Sequence, residues 1–332
     1  MLLQAVMEEP TLPEPHYHLA RYYNNLNNTY EERKTLENAI RAFNLAKTES
    51  VRRRQYRVDT HYRYANLLIN AKEFFPAEEN VIKGIELYED FVNRNLITVS
   101  PQLGQLYALS GDIEYFIKTG NMEAALNNYR TAERYGYSLP EIQYRMGSAY
   151  YQQEDWRNAL EYLFKASSEL PLNRRLLFAL GNAAYQRGDY FAAQGYYNRL
   201  LDILENQRIR LPVLLPNDSA QFLETGERLM MARNNLGVVN EALADQTGNR
   251  QYRSDAMVMY IESARSWDAI TRNPESMTRM RLTDSPGAPS INLAYLNANN
   301  ALRPNNAYNP QIFTRIDKDV LEPSMWETLT RY

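Results

Sequence analysis

Apolar residues recur at steps of three and four along most of the chain, separated by short polar turns. In one clear stretch, Leu180 and Ala184 lie one helical turn apart, and the same step recurs after the next turn. This spacing places apolar side chains on one face of an amphipathic helix. Between the two runs, Gly188 favours the left-handed conformation that ends a helix, and Asp189 is a residue type that caps the next one. The stretch therefore predicts two antiparallel helices joined by a tight turn.

The helix pair repeats along the chain with a period of 34 residues. The clearest matches at that distance are Gly181 with Gly147, Asp189 with Asp155, and Ala193 with Ala159. A fixed period of this length indicates stacked supersecondary units. The small residues are expected where helix axes approach closely, and Pro171 is expected to end a second helix.

These positions resemble the tetratricopeptide repeat (TPR) family, whose helix-turn-helix units have small residues at repeat positions 8, 20 and 27 and a proline near the end. Residues 140–173 and 174–207 carry the clearest matches, at Gly147, Tyr150, Ala159, Ala166, Pro171, Leu180, Gly181, Ala193 and Tyr197. The resemblance implies an all-α fold, a right-handed TPR superhelix (α-solenoid) of about six helix-turn-helix repeats. In that fold, first helices line a concave groove and second helices form an outer wall.

The period divides the chain into a TPR superhelix at residues 1–284 and an extended C-terminal arm at residues 285–332. Within the superhelix, the predicted units are a partial repeat at 1–12, full repeats at 13–46, 58–91, 106–139, 140–173 and 174–207, and a distorted repeat at 230–270. Three full repeats depart from the pattern, since Glu32, Ile113 and Leu200 stand where small residues are usual.

Three spacers interrupt the array, at residues 47–57, 92–105 and 208–229. We expect the first two to lengthen helices or to form short connectors. The third contains the apolar run LPVLLPND between prolines. It is either a loop packed on neighbouring units or an exposed hydrophobic docking site.

The arm loses the period and changes in composition. Residues 285–323 contain five prolines and many asparagines, which disfavour long helices, together with spaced apolar residues such as Tyr308 and Phe313. We expect this segment either to lie in the groove of its own chain or to reach a partner.

The first ten residues, MLLQAVMEEP, look like the end of a helix without its beginning. In the repeat register, Ala5 and Pro10 fall at positions 27 and 32, immediately before the repeat that starts at Pro13. This predicts the second helix of a severed repeat, and hence a chain that is a piece of a longer protein. A missing signal peptide would then say nothing about location.

Composition excludes several classes of function. The chain has no cysteine, which excludes disulfides, thiolate metal sites and a cysteine nucleophile. A net charge of -3 argues against a nucleic-acid partner, and the basic run Arg52–Arg54 is interpreted as an ordinary solvated face. No apolar run approaches the ~18 residues of a membrane span, so we expect no membrane contact.

Candidate catalytic chemistry is sparse. His16 and His61 share repeat position 4, where TPR proteins have a large packing residue, and we interpret both as structural. No phosphate-binding loop, serine-hydrolase motif or HExxH zinc motif occurs. The sequence therefore predicts a protein that is not an enzyme and needs no cofactor or metal.

The groove predicted by the resemblance is the better candidate site. Its rings and amides at repeat positions 5, 9 and 12 are Tyr17, Tyr62, Asn66, Tyr144, Tyr151, Phe178, Asn182 and Tyr185. Such side chains can offer a peptide apolar pockets and hydrogen bonds to its backbone, or they can pack between repeats. TPR proteins that clamp a C-terminal carboxylate have Lys at position 5. The aromatic residues here argue against that kind of receptor.

The predicted function is a non-enzymatic protein–protein interaction scaffold that assembles a multiprotein complex. The chain contains 26 Tyr and 32 Asn, many of them in its helices, and its tail is rich in Asn and Pro. In these features the chain is similar to the repeat region of spirochaete periplasmic flagellar collar proteins. That resemblance implies a periplasmic setting and protein partners in the flagellar motor. The alternative is a peptide-binding receptor or assembly chaperone with an open groove.

Overall fold

The computed structural model describes residues 1–46, 50–117, 120–214 and 219–271, and all regular secondary structure in these ranges is α-helical. The helices are α1 (Leu2–Glu8), α2 (Pro13–Asn25), α3 (Thr29–Leu45), α4 (Val51–Asn70), α5 (Phe74–Asn93), α6 (Pro101–Phe116), α7 (Met122–Arg134), α8 (Pro140–Gln152), α9 (Trp156–Ala166), α10 (Arg174–Gln186), α11 (Tyr190–Leu214), α12 (Ser219–Thr247) and α13 (Arg250–Thr271). The predicted arm, residues 285–332, lies outside the described residues.

The helices belong to two units, Met1–Ile142 and the part of the chain from Gln143 onward. In the first unit, α2 packs on α3, α4 on α5 and α6 on α7, and α3–α4 and α5–α6 contacts join the pairs. In the second unit, each helix from α9 to α13 packs on the next one. Each unit is therefore a stack of TPR-like helix pairs, which confirms the predicted all-α fold class.

The turns inside the pairs have a common geometry. The residues with positive φ at repeat position 15 are Asn27, Lys72, Glu154 and Gly188. After two of these turns, Asp155 accepts a hydrogen bond from the backbone N–H of Asn158 at 3.2 Å, and Asp189 accepts one from Ala192 at 3.4 Å. The left-handed turn at Gly188 and the N-cap at Asp189 are therefore confirmed.

Small residues lie where the two helices of a pair meet. A Cβ atom on Gly147 would lie 2.7 Å from Cγ of Leu163, and one on Gly181 would lie 2.8 Å from Cζ of Tyr197. Ala159 is fully buried. The close approach predicted at these positions is confirmed, because nothing larger fits without movement of a neighbour.

The third helix pair differs from the predicted register. Its close contact is at Gly111, where a Cβ atom would lie 2.6 Å from Cε1 of Tyr129. Ile113, predicted to replace the small residue, instead lies in the hydrophobic core with Ala65 and Leu109. The predicted position came from applying the 34-residue register of the second helix to the first helix. The register fails here because Gly111 and Tyr129 are two residues farther apart in sequence than Gly181 and Tyr197.

The first spacer is helical, as one of its two expectations had it, and the third is more helical than expected. The first lengthens a helix, since α4 begins at Val51. The third was expected to be a packed loop or an exposed docking site. In the structure, α11 continues to Leu214 and α12 begins at Ser219, and residues 215–218 between them lie outside the described residues. Up to Leu214, backbone N–H groups can pair within α11, except at Pro212, which has no N–H.

The second helix of the fourth full repeat ends before its proline. α9 ends at Ala166, and the hydroxyls of Ser167 and Ser168 donate to the carbonyl oxygens of Phe164 and Lys165 at 2.7 and 2.8 Å. The serines therefore satisfy the end of the helix, and the prediction that Pro171 ends it was wrong. Within the described ranges, no helix is both long enough and apolar enough to cross a membrane.

Candidate functional site

Helices α2 and α4 meet through stacked rings and charged groups. The rings of Tyr17 and Tyr56 are stacked with centroids 4.3 Å apart. The Tyr17 hydroxyl donates to Oδ2 of Asp59 at 2.8 Å, and Nε of Arg63 donates to the same oxygen at 2.6 Å. Burial, followed by the charge of Asp59, raises the pKa of Tyr17 to about 12, so the hydroxyl remains a donor. Tyr17 is only 4% exposed and acts as a link between helices.

The first spacer makes this contact possible. Residues 51–57 lengthen α4 by about two turns ahead of the predicted start of the second repeat. The added turns bring Tyr56 onto the Tyr17 ring and Arg53 onto Glu14, with Nε 2.6 Å from Oε1. The Ser50 hydroxyl caps the extension by accepting the backbone N–H of Arg53 at 3.2 Å.

Three side chains remain at the surface of this contact. His18 lies edge-on to the rings of Tyr17 and Tyr56, at 5.2 Å from each. Arg21 and Arg52 are exposed, and the Arg21 guanidinium lies 5.8 Å from the centroid of the Tyr17 ring. We call these three residues, with the two rings beneath them, the α2–α4 patch.

Electrostatics of the patch favour a neutral imidazole. Burial lowers the pKa of His18, the positive charges of Arg21 and Arg52 lower it further, and Glu14 opposes them. At neutral pH, the positive charge of the patch is carried by the two arginines.

Two predicted groove residues of the second repeat differ in exposure. Tyr62 is half-buried against core residues, and its pKa is raised first by burial and then by Tyr137, to which it is hydrogen-bonded. Asn66 is exposed on the same helix. Asn66 is therefore available to a partner, whereas most of the Tyr62 ring contributes to packing.

In the second unit, two predicted groove residues form a buried network. Asn182 donates from Nδ2 to the Tyr151 hydroxyl at 2.8 Å, and its Oδ1 accepts a hydrogen bond from the Tyr197 hydroxyl. Asn235 also donates from Nδ2 to Asn182 Oδ1 at 3.2 Å and to the Tyr197 oxygen at 3.1 Å. The network joins α8, α10, α11 and α12, so Tyr151 and Asn182 connect repeats and do not line an open surface.

The other predicted residues of this unit are mainly packing residues. Tyr144 is fully buried, and Phe178 is 6% exposed with its ring edge-on to Tyr197 at 5.7 Å. Tyr185 is half-buried beside Tyr190, and burial raises its pKa to about 12. Of the two interpretations that the sequence left open, packing therefore accounts for Tyr144 and Phe178.

The sequence reasoning missed His18, Arg21 and Arg52. A signal was present, because Arg52, Tyr56, Asp59 and Arg63 follow steps of four, three and four, which place them on one face of a helix. The spacer boundary at residue 57 divided this run. Treating residues 51–57 as part of the helix would have identified the face.

The described residues contain no group of three or more His, Asp or Glu side chains placed to hold a metal ion. His16 Nε2 lies 2.9 Å from the carbonyl oxygen of Pro10, and His61 Nδ1 lies 2.9 Å from Oδ1 of Asn80. Both rings are buried, and burial lowers the pKa of His61. Both histidines are packing residues, as predicted from their repeat position.

No protein-family model matches the chain. Among curated proteins, it is similar to mouse centrosomal protein of 290 kDa, with 25% identity over 190 residues that cover 51% of this chain and 7% of that protein. Because the match spans so little of that protein, the function of the whole protein is not carried over to this chain.

Among solved structures, the chain is similar to three TPR proteins. The C-terminal part of a TPR repeat-containing protein from Cytophaga hutchinsonii is 14% identical, with 83% of this chain and 91% of that chain covered and a TM-score of 0.48. A signal transduction ATPase with a TPR sensor from Pyrococcus horikoshii is 14% identical, with 90% and 44% covered and a TM-score of 0.45. The TPR2AB domain of yeast Sti1 in complex with pHSP90 is 10% identical, with 86% and 98% covered and a TM-score of 0.29. Since all three TM-scores are below 0.5, the fold assignment rests on the helix pairs themselves.

Proposed function

We propose that this chain is a non-enzymatic scaffold that holds other proteins along the first helices of its repeats. The observation that carries the proposal is the α2–α4 contact, where buried rings and ion pairs fix the helices while Arg21, Arg52 and Asn66 remain exposed. A surface that is already ordered loses little side-chain freedom on binding, which favours recognition by a rigid scaffold.

Site-specific photo-crosslinking in the native cell tests this proposal. In the test variant, a benzophenone amino acid replaces Asn66, which is exposed on the first helix of the second pair. In the matched control variant, it replaces Ile82 on the second helix of the same pair. Ile82 is 49% exposed, so both positions are open to crosslinking. We expect discrete protein adducts from position 66 that position 82 does not give. The same adducts at both positions, or none at position 66, would contradict the proposal.

The second candidate is a peptide receptor or assembly chaperone with an open groove that captures extended segments of changing clients. What separates it from the scaffold is whether the groove is already filled, and the spaced apolar residues of 285–323 favour filling by the chain's own arm. A chain truncated after Asp284 should then bind labelled peptides from a random library more strongly than the full chain. An unchanged binding profile would reject self-occupation.

The finer proposal is a place in the periplasmic flagellar collar. It is supported by the Tyr- and Asn-rich resemblance alone. A tagged full-length protein should fractionate with the cell envelope and co-purify with motor components. Recovery in the cytosol without motor components would refute this setting.

A further inference from the structure

The carboxylates of the α2–α4 contact are already neutralised by arginines within it. Glu14 is paired with Arg53, and Asp59 with Arg63, each with an N to O distance of 2.6 Å. The four side chains are largely shielded, since none exposes more than 30% of its side chain. These pairs leave no negative charge for further cations at the surface.

A buried carboxylate on α3 also has a partner. Glu32 is 5% exposed and accepts a hydrogen bond from Nδ2 of Asn24 at 3.2 Å. Arg21 and Arg52, by contrast, form no ion pair with any of the described residues. The contact therefore presents two positive charges at its surface that have no partner within the described parts of the chain.

The two arginines belong to different helices, which meet through one pair of stacked rings. Arg21 lies over the Tyr17 ring, and Arg52 lies one helical turn before Tyr56, which stacks on that ring. His18 stands edge-on to both rings and experiences the charge of both arginines. Rings flanked by separated cations can hold an apolar or aromatic side chain between two acidic ones.

We propose that the α2–α4 patch binds an acidic peptide segment of a partner protein, with carboxylates paired to Arg21 and Arg52 and an aromatic side chain against Tyr56 and His18. The inference rests on the proposed scaffold function and names the kind of partner for one of its surfaces. It depends on the seven residues that extend α4 beyond the predicted repeat, so it concerns a surface that the repeat pattern alone does not contain.

An extended acidic chain fits this patch better than a small anion or a nucleic acid. The two arginines lie on different helices, α2 and α4, which suits two separate carboxylates along one peptide. A nucleic acid requires a broad basic surface, whereas this chain has a net charge of -3. Residues on the patch are also interleaved with paired carboxylates, which disfavour a continuous phosphate backbone.

Fluorescence anisotropy of the full chain with a short labelled peptide rich in Glu and Tyr tests the inference. A second peptide has Gln at every Glu position. The test variant carries Arg21→Glu and Arg52→Glu, and a milder one carries Arg21→Gln and Arg52→Gln. The control carries Arg187→Glu and Arg199→Glu, two exposed arginines outside the patch, so that its net charge equals that of the test variant. Circular dichroism melting checks that each variant is folded.

We expect the wild type and the control to bind the Glu peptide and the test variant to bind it roughly tenfold more weakly, because two attractions become two repulsions. The Arg→Gln variant should fall between them, and added salt should weaken wild-type binding. Three outcomes would overturn the inference. The wild type could bind the Gln peptide as tightly as the Glu peptide, or the test and control variants could lose the same affinity. Inorganic phosphate or single-stranded RNA could also displace the Glu peptide. If peptide binding fails but position 66 still gives specific adducts, only this inference is wrong and the scaffold proposal stands.

Discussion

One close helix contact in the second unit, at Gly181, gives a prediction with an internal control. In Gly181→Ala, the added Cβ would lie 2.8 Å from Cζ and 2.9 Å from Cε2 of Tyr197. The ring has no room to retreat, because Tyr197 is fully buried and its hydroxyl is hydrogen-bonded to Asn182 and Asn235. Gly195, on the facing helix α11, is exposed and has no atom within 4 Å of an added Cβ. The same substitution there meets open solvent.

The two alanine variants should change stability in opposite directions. At Gly195, alanine raises helix propensity and should stabilise by up to about 1 kcal/mol. At Gly181, the same gain is outweighed by overpacking, roughly 1–3 kcal/mol, and by distortion of the hydrogen bonds of the ring, about 0.5–1.5 kcal/mol each. We expect a net loss of about 1–3 kcal/mol and a difference of about 2–4 kcal/mol between two variants of identical composition.

Urea unfolding followed by the helical circular dichroism signal measures this difference. Because repeat units can lose structure separately, hydrogen exchange of peptides from α10 and α11 should show where the protection is lost. Faster exchange confined to those helices in Gly181→Ala would locate the defect at the predicted contact. If Gly181→Ala were as stable as Gly195→Ala, the close approach and the register built on it would be refuted.

Three further predictions concern turns, packing and pH. Gly188 has a φ of 81°, and no atom lies within 4 Å of an added Cβ, so Gly188→Ala should destabilise the protein by about 1 kcal/mol through backbone strain alone. Glu154 has a φ of 60°, so Glu154→Gly should stabilise the protein by up to about 1 kcal/mol. Urea midpoints compare the two variants, and equal effects would reject the left-handed turns. Ala159→Leu and Ala193→Leu, both at fully buried positions, should each cost roughly 1–3 kcal/mol in thermal melting, and an unchanged melting temperature would contradict the repeat register. Burial raises the pKa of Glu32, so the Glu32 carboxyl stays protonated to higher pH in the folded state than in the unfolded state. The stability of the protein therefore falls as pH rises from the ordinary glutamate pKa through the raised pKa of Glu32. Glu32→Gln should remove that decrease in urea midpoints measured between about pH 4 and pH 8, and an identical pH profile would show that Glu32 does not cause it.

Much of the fold could be predicted because its signals are local. A glycine or a capping side chain acts within one turn, so Gly188, Asp155 and Asp189 identified their turns correctly. The spacers were harder, because helix continuation there is decided by the packing of neighbouring helices and not by residue type. The start of α12 at Ser219, ahead of the predicted repeat, is an example.

The candidate site was less predictable because the group that covers a side chain comes from another repeat. Repeat position correctly placed Tyr17 on a first helix, but its hydroxyl is bound by Asp59 of the next repeat and its ring by Tyr56 of the spacer. Neither partner is visible in the residues around Tyr17. Exposure of a ring therefore cannot be inferred from its own repeat alone.

One pairing does explain why two asparagines at the same repeat position differ. Where a tyrosine of the second helix packs over a glycine of the first helix, its hydroxyl reaches the residue that follows the glycine; in the fifth full repeat these are positions 24, 8 and 9. This geometry occurs in Gly181 with Tyr197, which binds Asn182, and again in Gly111 with Tyr129, which donates to Asp112 at 2.7 Å.

The second full repeat lacks both requirements. It has Ala65 and Val81 at positions 8 and 24, and both are buried in the core. Val81 has no hydroxyl with which to reach position 9, and Asn66 is exposed. What a first helix offers to a partner is therefore set in part by the second helix of the same pair. Asn66 is consequently a better position than Asn182 for detecting a bound protein.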